Sequence, residues 1–296
     1  MAYRRGNDDS PSVKVVTQSG QAMMKDCMNI PDPKNTPNPV VLNHRELEQV
    51  AGAALLVAHR LMETGSRAEV VHESCSLVAR GLGCEHVNLR SGYASLEITL
   101  DSGMNTITRM IEVGTLGVNY RLNHAIRDLV RRFREGSGTP AAAVAEMTRL
   151  ERDTPRQPPW VVALWVGIAC ASFGRLLGID WAAFIPVLTA GAVGQAGRHL
   201  LVRRGTNVFV VAAGIAFLSS TLGGLGARWA ASTTVNLAMN ASVLLLVPGV
   251  PAVNAQSDIM EGHPELGGAR AIFVIMLLMF IAIGVLIAHG IVGAPS

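Results

Sequence analysis

The chain has 296 residues, 49% of them hydrophobic and only 5% aromatic, with a net charge of +3. So small a charge, with no Lys/Arg stripe interleaved with aromatics, excludes a nucleic-acid partner. Its four cysteines (Cys27, Cys75, Cys84, Cys170) form no CxxC pair, which argues against a zinc site or a disulfide framework and suits free thiols in a reducing compartment.

The charges are unevenly placed. Of 25 Lys+Arg and 22 Asp+Glu, only ten lie between Trp160 and Ser296. Carrying one charge from water to the bilayer centre costs roughly 2.5–3.5 kcal/mol. The second half therefore reads as a membrane phase and the first as a soluble domain. Residues 1–43 are rich in Asp, Asn, Pro and Ser, lack periodicity and hold no apolar run behind their basic residues. A disordered tail without a secretory signal is expected there.

A first helix is expected within Leu42–Gly65, where Leu47, Val50, Ala54, Val57 and Leu61 share one face. Gly65 suits a left-handed C-terminal stop. Ser66 is expected to cap a second helix, with Glu69 completing a capping box. That helix would end at Gly81–Gly83. The period then changes to two: Val87 and Leu89, then Leu96, Ile98 and Leu100, then a third strand near Asn105–Ile111, joined by turns at Ser91–Gly92 and Asp101–Gly103. Helical spacing returns at Val118, Leu122, Ile126, Leu129 and Phe133. Thr139–Pro140 starts a last helix that ends before Pro155. The order ααβββαα describes a small α+β domain over residues 44–157. His59, His72, His86 and His124 are scattered over it, and no Ser–His–Asp, HExxH or phosphate-loop motif occurs. No enzyme activity, cofactor or metal is expected.

Five segments approach the roughly 20 apolar residues needed to cross a bilayer: 160–177, 181–197, 208–226, 233–253 and 271–292. Trp160, Trp165, Trp181 and Trp229 lie near their ends, as interfacial indoles do. The link holding Arg198, Arg203 and Arg204 is the densest basic loop of this half. It is expected inside, which places the N-terminal domain in the cytoplasm and the chain in the inner membrane as a multi-pass protein. Gln195 and Ser219–Ser220–Thr221 form smaller polar clusters, and the glycines Gly191, Gly194, Gly197, Gly223, Gly224 and Gly226 suggest close helix packing.

The fourth segment is the least ordinary. Thr233, Asn236 and Asn240 fall at i, i+3 and i+7, a polar stripe on one helix face. The helix then meets Pro248–Gly249–Val250–Pro251, which removes backbone donors at membrane depth. Such a break survives where it is buried in protein or lines a cavity, as in discontinuous transporter helices. Asn254 and Asp258 follow. Spacing alone leaves open a plainer alternative: prolines that end a helix, asparagines that glue it to a neighbour, and a solvated loop acid.

The stretch LVPGVPAVNAQSDIMEGHPELGGAR (246–270) resembles the signature of the threonine/serine exporter family, through Pro248, Gly249, Pro251, Asn254, Asp258, Gly262, Gly268 and Arg270. ALLVAHRLMETGSRAEVVHESCSLVARGLGCEHVNL and GVNYRLNHAIRDLVRRFREGSGTPAAAVAEMTRLE are similar to the soluble domain of that family, and the likeness covers about residues 46–292. The resemblance implies a proton-driven secondary exporter of a small hydrophilic metabolite, threonine or serine in full-length members and a dicarboxylate in a split type. It implies the five-span half of a split transporter, working with a separate smaller membrane subunit; homo-oligomerisation stays open. Thr233, Asn236, Asn240, Pro248, Gly249, Pro251, Asn254, Asp258 and Arg270 would then line the substrate or proton path, with Asp258 the proton-coupled carboxylate and Arg270 its partner or a ligand for a substrate carboxylate. The alternative function is a non-transporting membrane protein whose cytoplasmic domain binds a ligand or partner.

Overall fold

The computed structural model describes residues 41–114, 116–134, 138–154 and 157–293. The expected tail lies, but for its last residues, outside this set, as does Cys27. Its end at residue 43 is corrected, because Leu42 and Asn43 already belong to the fold. Leu42 is buried and donates its N–H to Ser102 Oγ at 2.9 Å. Asn43 caps helix α1 (His44–Glu63) in a reciprocal capping box with Glu46, each bond 2.9 Å.

The apolar face read from the sequence is the buried one: Leu47, Val50, Ala54, Val57 and Leu61 are all 2% exposed or less. Gly65, at φ +91°, turns the chain out of α1 and helix α2 (Ala68–Gly81) follows. Three antiparallel strands, β1 (His86–Ser91), β2 (Ser95–Ser102) and β3 (Asn105–Glu112), form a sheet in the order β1-β2-β3. Leu96, Ile98 and Leu100 point from β2 into the core without exposure, and Ile98 faces Leu89 across the ladder. Helix α3 (Tyr120–Arg134) buries Ile126, Leu129 and Phe133. Val118, expected on that face, lies before the helix and is 50% exposed. Helix α4 (Pro140–Asp153) is capped by Thr139, which accepts from Ala142 N at 3.2 Å, with Pro140 in its first turn. Helix α1 packs on the sheet and on α2 and α4, so the region closes around one core.

The second half is helical. Helix α5 (Pro159–Leu177) ends at Gly178, φ +103°, and Asp180 caps helix α6 (Trp181–Arg203) by accepting from Ala183 N at 2.9 Å. Helix α6 continues past Gly197, so the ten-residue basic loop expected there shrinks to a tight turn at Arg204–Gly205. Helix α7 (Val208–Trp229) follows and lies between α6 and helix α10 (Pro264–Val292). Its contact with α10 is close: a Cβ on Gly284 would meet the Ala213 carbonyl oxygen at 2.3 Å.

The fourth expected segment is not one helix. Helix α8 (Val235–Ala241) gives way to a 3₁₀ turn at Leu244–Leu246, and helix α9 (Gly249–Met260) starts after Pro248, bent by 60° from what precedes it. Among the described residues, α5, α7 and α10 are long and apolar enough to cross a membrane, and the bent pair would make a fourth. Helix α6 has the length, but Gln195, Arg198, His199 and Arg203 leave it short of that apolarity.

Candidate functional site at the helix elbow

Pro248 does not interrupt a helix; it is the N-cap of α9, and Pro251 sits in the first turn, where a missing N–H costs nothing. The unwinding lies upstream, over residues 242–248. At the other end of α9, Gly262 at φ +91° lets His263 N reach the Asp258 carbonyl at 2.7 Å, and Pro264 starts α10. Helices α9 and α10 thus form an elbow. Gly267 holds its arms together, since a Cβ there would lie 2.8 Å from the Ala255 carbonyl oxygen.

Asn254 and Asp258, four residues apart, share one face of α9. Opposite them on α10 stand Leu266 and Arg270. All four side chains are buried, Asp258 fully. Arg270 forms an ion pair with Asp258 Oδ2 and donates to the Ser66 carbonyl at 3.2 Å. Asp258 Oδ1 accepts from Ala68 N at 2.7 Å, and Asn254 Nδ2 donates to the Gly65 carbonyl at 2.8 Å. Arg67 pairs with Glu261. The elbow therefore grips the α1–α2 turn residue by residue.

This grip corrects the expected cap. The N-cap of α2 is Arg67, with no side-chain cap bond of its own, and Ser66 does not act as the cap. The carboxylate at the helix start comes from Asp258, where the dipole favours a negative charge. Asp258 is accordingly not a solvated loop acid. Its two oxygens answer two different donors, one charged and one backbone, which is the condition under which a buried charge is tolerated.

Around this core, sequence reading missed several partners. Leu266, 1% exposed, belongs to the same apolar cluster as α1 and α2. His72 of α2 packs its ring on His263 at 4.5 Å and shares a hydrogen bond of 3.0 Å with Ser91 Oγ. Burial, with His263 adding to it against the pull of Asp258, lowers the His72 pKa to about 4, so the ring is neutral at pH 7. Tyr93, on the β1–β2 turn, approaches Phe273 of α10 at 6.3 Å. No local pattern links these positions; only the apolar spacing of Leu266 and Phe273 on α10 hints at a second buried face.

The remaining expected residues are dispersed. Thr233 lies before α8, so it is not on the helix face with the asparagines; its N–H donates to Asp180 Oδ2 at 2.8 Å. Asn236 is half-buried and Asn240 exposed on α8. Pro248, Gly249 and Pro251 start α9. Only Asn254, Asp258 and Arg270 are brought together.

Residues 53–292 match the profile of a family described as "Putative threonine/serine exporter". A protein of Klebsiella aerogenes named "Probable succinate transporter subunit YjjP" is 29% identical over 245 residues, covering 82% of this chain and 94% of its own length. A protein of Escherichia coli with the same name is 29% identical over 230 residues, covering 77% and 89%. No solved structure matches the chain.

Proposed function

The chain belongs to the threonine/serine exporter family of membrane transporters rather than to any enzyme family, and from that premise we propose that it is a subunit of a secondary exporter of a small hydrophilic metabolite. The cargo is an amino acid such as threonine or serine, or a dicarboxylate such as succinate, and the proton motive force drives it. The relatives' description as transporter subunits supports a second membrane polypeptide as partner. The N-terminal α+β region lies in the cytoplasm, on the side of the basic Arg203–Arg204 turn, two helices away.

One observation carries the reading: a helix broken inside an apolar bundle ends on a buried ion pair, Asp258–Arg270. Backbone unwound at membrane depth persists where it is buried in protein or lines a cavity, as in the discontinuous helices of transporters, and here a charge pair follows it. Loss of the Asp258 negative charge would leave Arg270 without its counter-ion and weaken the carboxylate's hold on Ala68 N, loosening the elbow from the α1–α2 turn. The broken pair α8–α9, with Asn236, Asn240 and Asn254, then lines the path that this motion opens.

The experiment is export of labelled serine, threonine and succinate from vesicles holding this chain and its membrane partner, under an imposed proton gradient. Wild type should export one of them, and Asp258→Asn should abolish the gradient dependence. Equal export by both removes Asp258 from the coupling. Export of none of the three overturns the substrate class.

A further inference from the structure

Away from the elbow, the unwound stretch after α8 closes a small cavity of about 10 Å³ between α5, α6 and α7, and this volume is that of a single water site. Its polar lining is Gln195, Ser219, Ser242 and Cys170. Two glycines make the hydroxyls fit. A Cβ on Gly194 would stand 2.0 Å from Ser219 Oγ, and one on Gly223 would stand 2.0 Å from Ser242 Oγ. The helices thus leave room for oxygen atoms where apolar packing would have closed.

Ser219 is 1% exposed and lines the cavity, yet its hydroxyl makes no hydrogen bond to any described residue. Ser220 Oγ and Thr221 Oγ1, the next two hydroxyls of α7, are also buried without a partner among the described residues but do not line this cavity. Ser242 Oγ donates to the Ala238 carbonyl at 2.8 Å and keeps its lone pairs free for a donor. A buried hydroxyl without a partner is costly, and a polar occupant of the cavity answers that of Ser219. No charged side chain lines the space, so its chemistry suits a neutral donor–acceptor rather than a metal ion or an anion.

We propose that this cavity is a binding site for one water molecule, held by Ser219, Ser242 and Gln195 against the 3₁₀ turn Leu244–Leu246. The water hydrates the helix break from within the bundle. The site is separate from Asp258 and stands whether or not the chain exports the metabolites named above.

Two native thiols provide the test. Cys170 lines the cavity at 1% exposure, whereas Cys75 is 0% exposed in the core of the α+β region. Hydroxyl radicals made in place by X-ray radiolysis of the purified full-length chain oxidise side chains that touch bound water. Oxidation of Cys170 several-fold faster than Cys75, read by mass spectrometry, is expected; equal rates mean a dry cavity and overturn the proposal. In Ser219→Val, whose side chain fills the space, Cys170 should slow to the rate of Cys75. A folded variant that keeps the fast rate also overturns it, and the wild-type ratio decides alone if the variant does not fold.

Discussion

The carboxylate of Asp258 accepts the backbone N–H of Ala68 at 2.7 Å across 190 residues of sequence, so a helix of the α+β region takes its cap from the helical bundle. The same carboxylate holds Arg270. Removing it leaves a buried guanidinium and an uncapped helix together.

Asp258→Ala should therefore destabilise the protein by about 3–5 kcal/mol, the range for breaking a buried pair from one side. Arg270→Leu should cost a similar amount. The double variant should cost less than the sum of the two, because neither charge is then left alone. Thermal unfolding of the four proteins in one detergent measures the cycle. Additive losses would show that the pair is not coupled.

Much of the α+β region was legible in the sequence, and the reasons are local. The apolar face of α1, the alternation of Leu96, Ile98 and Leu100, and the Thr139–Pro140 start of α4 each record one periodicity or one cap. Ser66–Glu69 fitted the local cap pattern as well, but the donors of α2 are answered by a residue that no window can contain. Thr233 shows a related limit. Its spacing to Asn236 matches a helix face only if the helix has begun, and the chain instead bends to Asp180 first. The signature around Pro248–Arg270 contains the three residues that meet at the elbow, Asn254, Asp258 and Arg270. What it could not show was that they point at the α1–α2 turn, since that depends on the elbow at Gly262.

Gly284→Ala should weaken the bundle by about 1–3 kcal/mol, as overpacking does, because the new methyl meets backbone of α7 rather than a movable side chain. Gly290→Ala, on the same helix with open space around it, should be neutral or gain up to about 1 kcal/mol of helix propensity. The two unfolding midpoints form an internal comparison. A loss at both positions would point to helix flexibility rather than close approach.

His72 predicts a pH effect with a defined sign. Its folded pKa of about 4 lies below the ordinary 6.5. Above pH 6.5 neither state is charged, and the ring contributes nothing to the pH dependence. Between 6.5 and 4 the unfolded chain takes up a proton that the folded one refuses, so stability falls as the pH falls. Below about 4 the effect levels off. Wild type should thus lose more stability than His72→Gln between pH 7 and pH 4.5, measured by unfolding midpoints. Parallel losses would remove His72 from the account.

Asp180 ties the α5–α6 link to the loop before α8. It accepts from Ala183 N, Ser232 Oγ at 2.8 Å and Thr233 N. Asp180→Ala should cost about 0.5–2 kcal/mol through the lost cap alone, and protease cleavage in residues 230–234 should become faster. Asp180→Asn keeps an acceptor for Ala183 N and should lose less. Cleavage unchanged in both would show that the loop is held by other contacts.

Helix α10 is 29 residues long, so at 1.5 Å per residue it is a rod of about 44 Å. Its first turns are built into the core of the α+β region through Leu266, and its remainder is packed along α7. A helix packed at both ends carries tilt from one to the other without a hinge. A swing of about 5° at the α7 end moves the other end by about 4 Å over that length, so the α+β region has to move with it. The α+β region and the apolar helices are therefore joined through one continuous helix, and the tilt of α10 sets where the elbow stands.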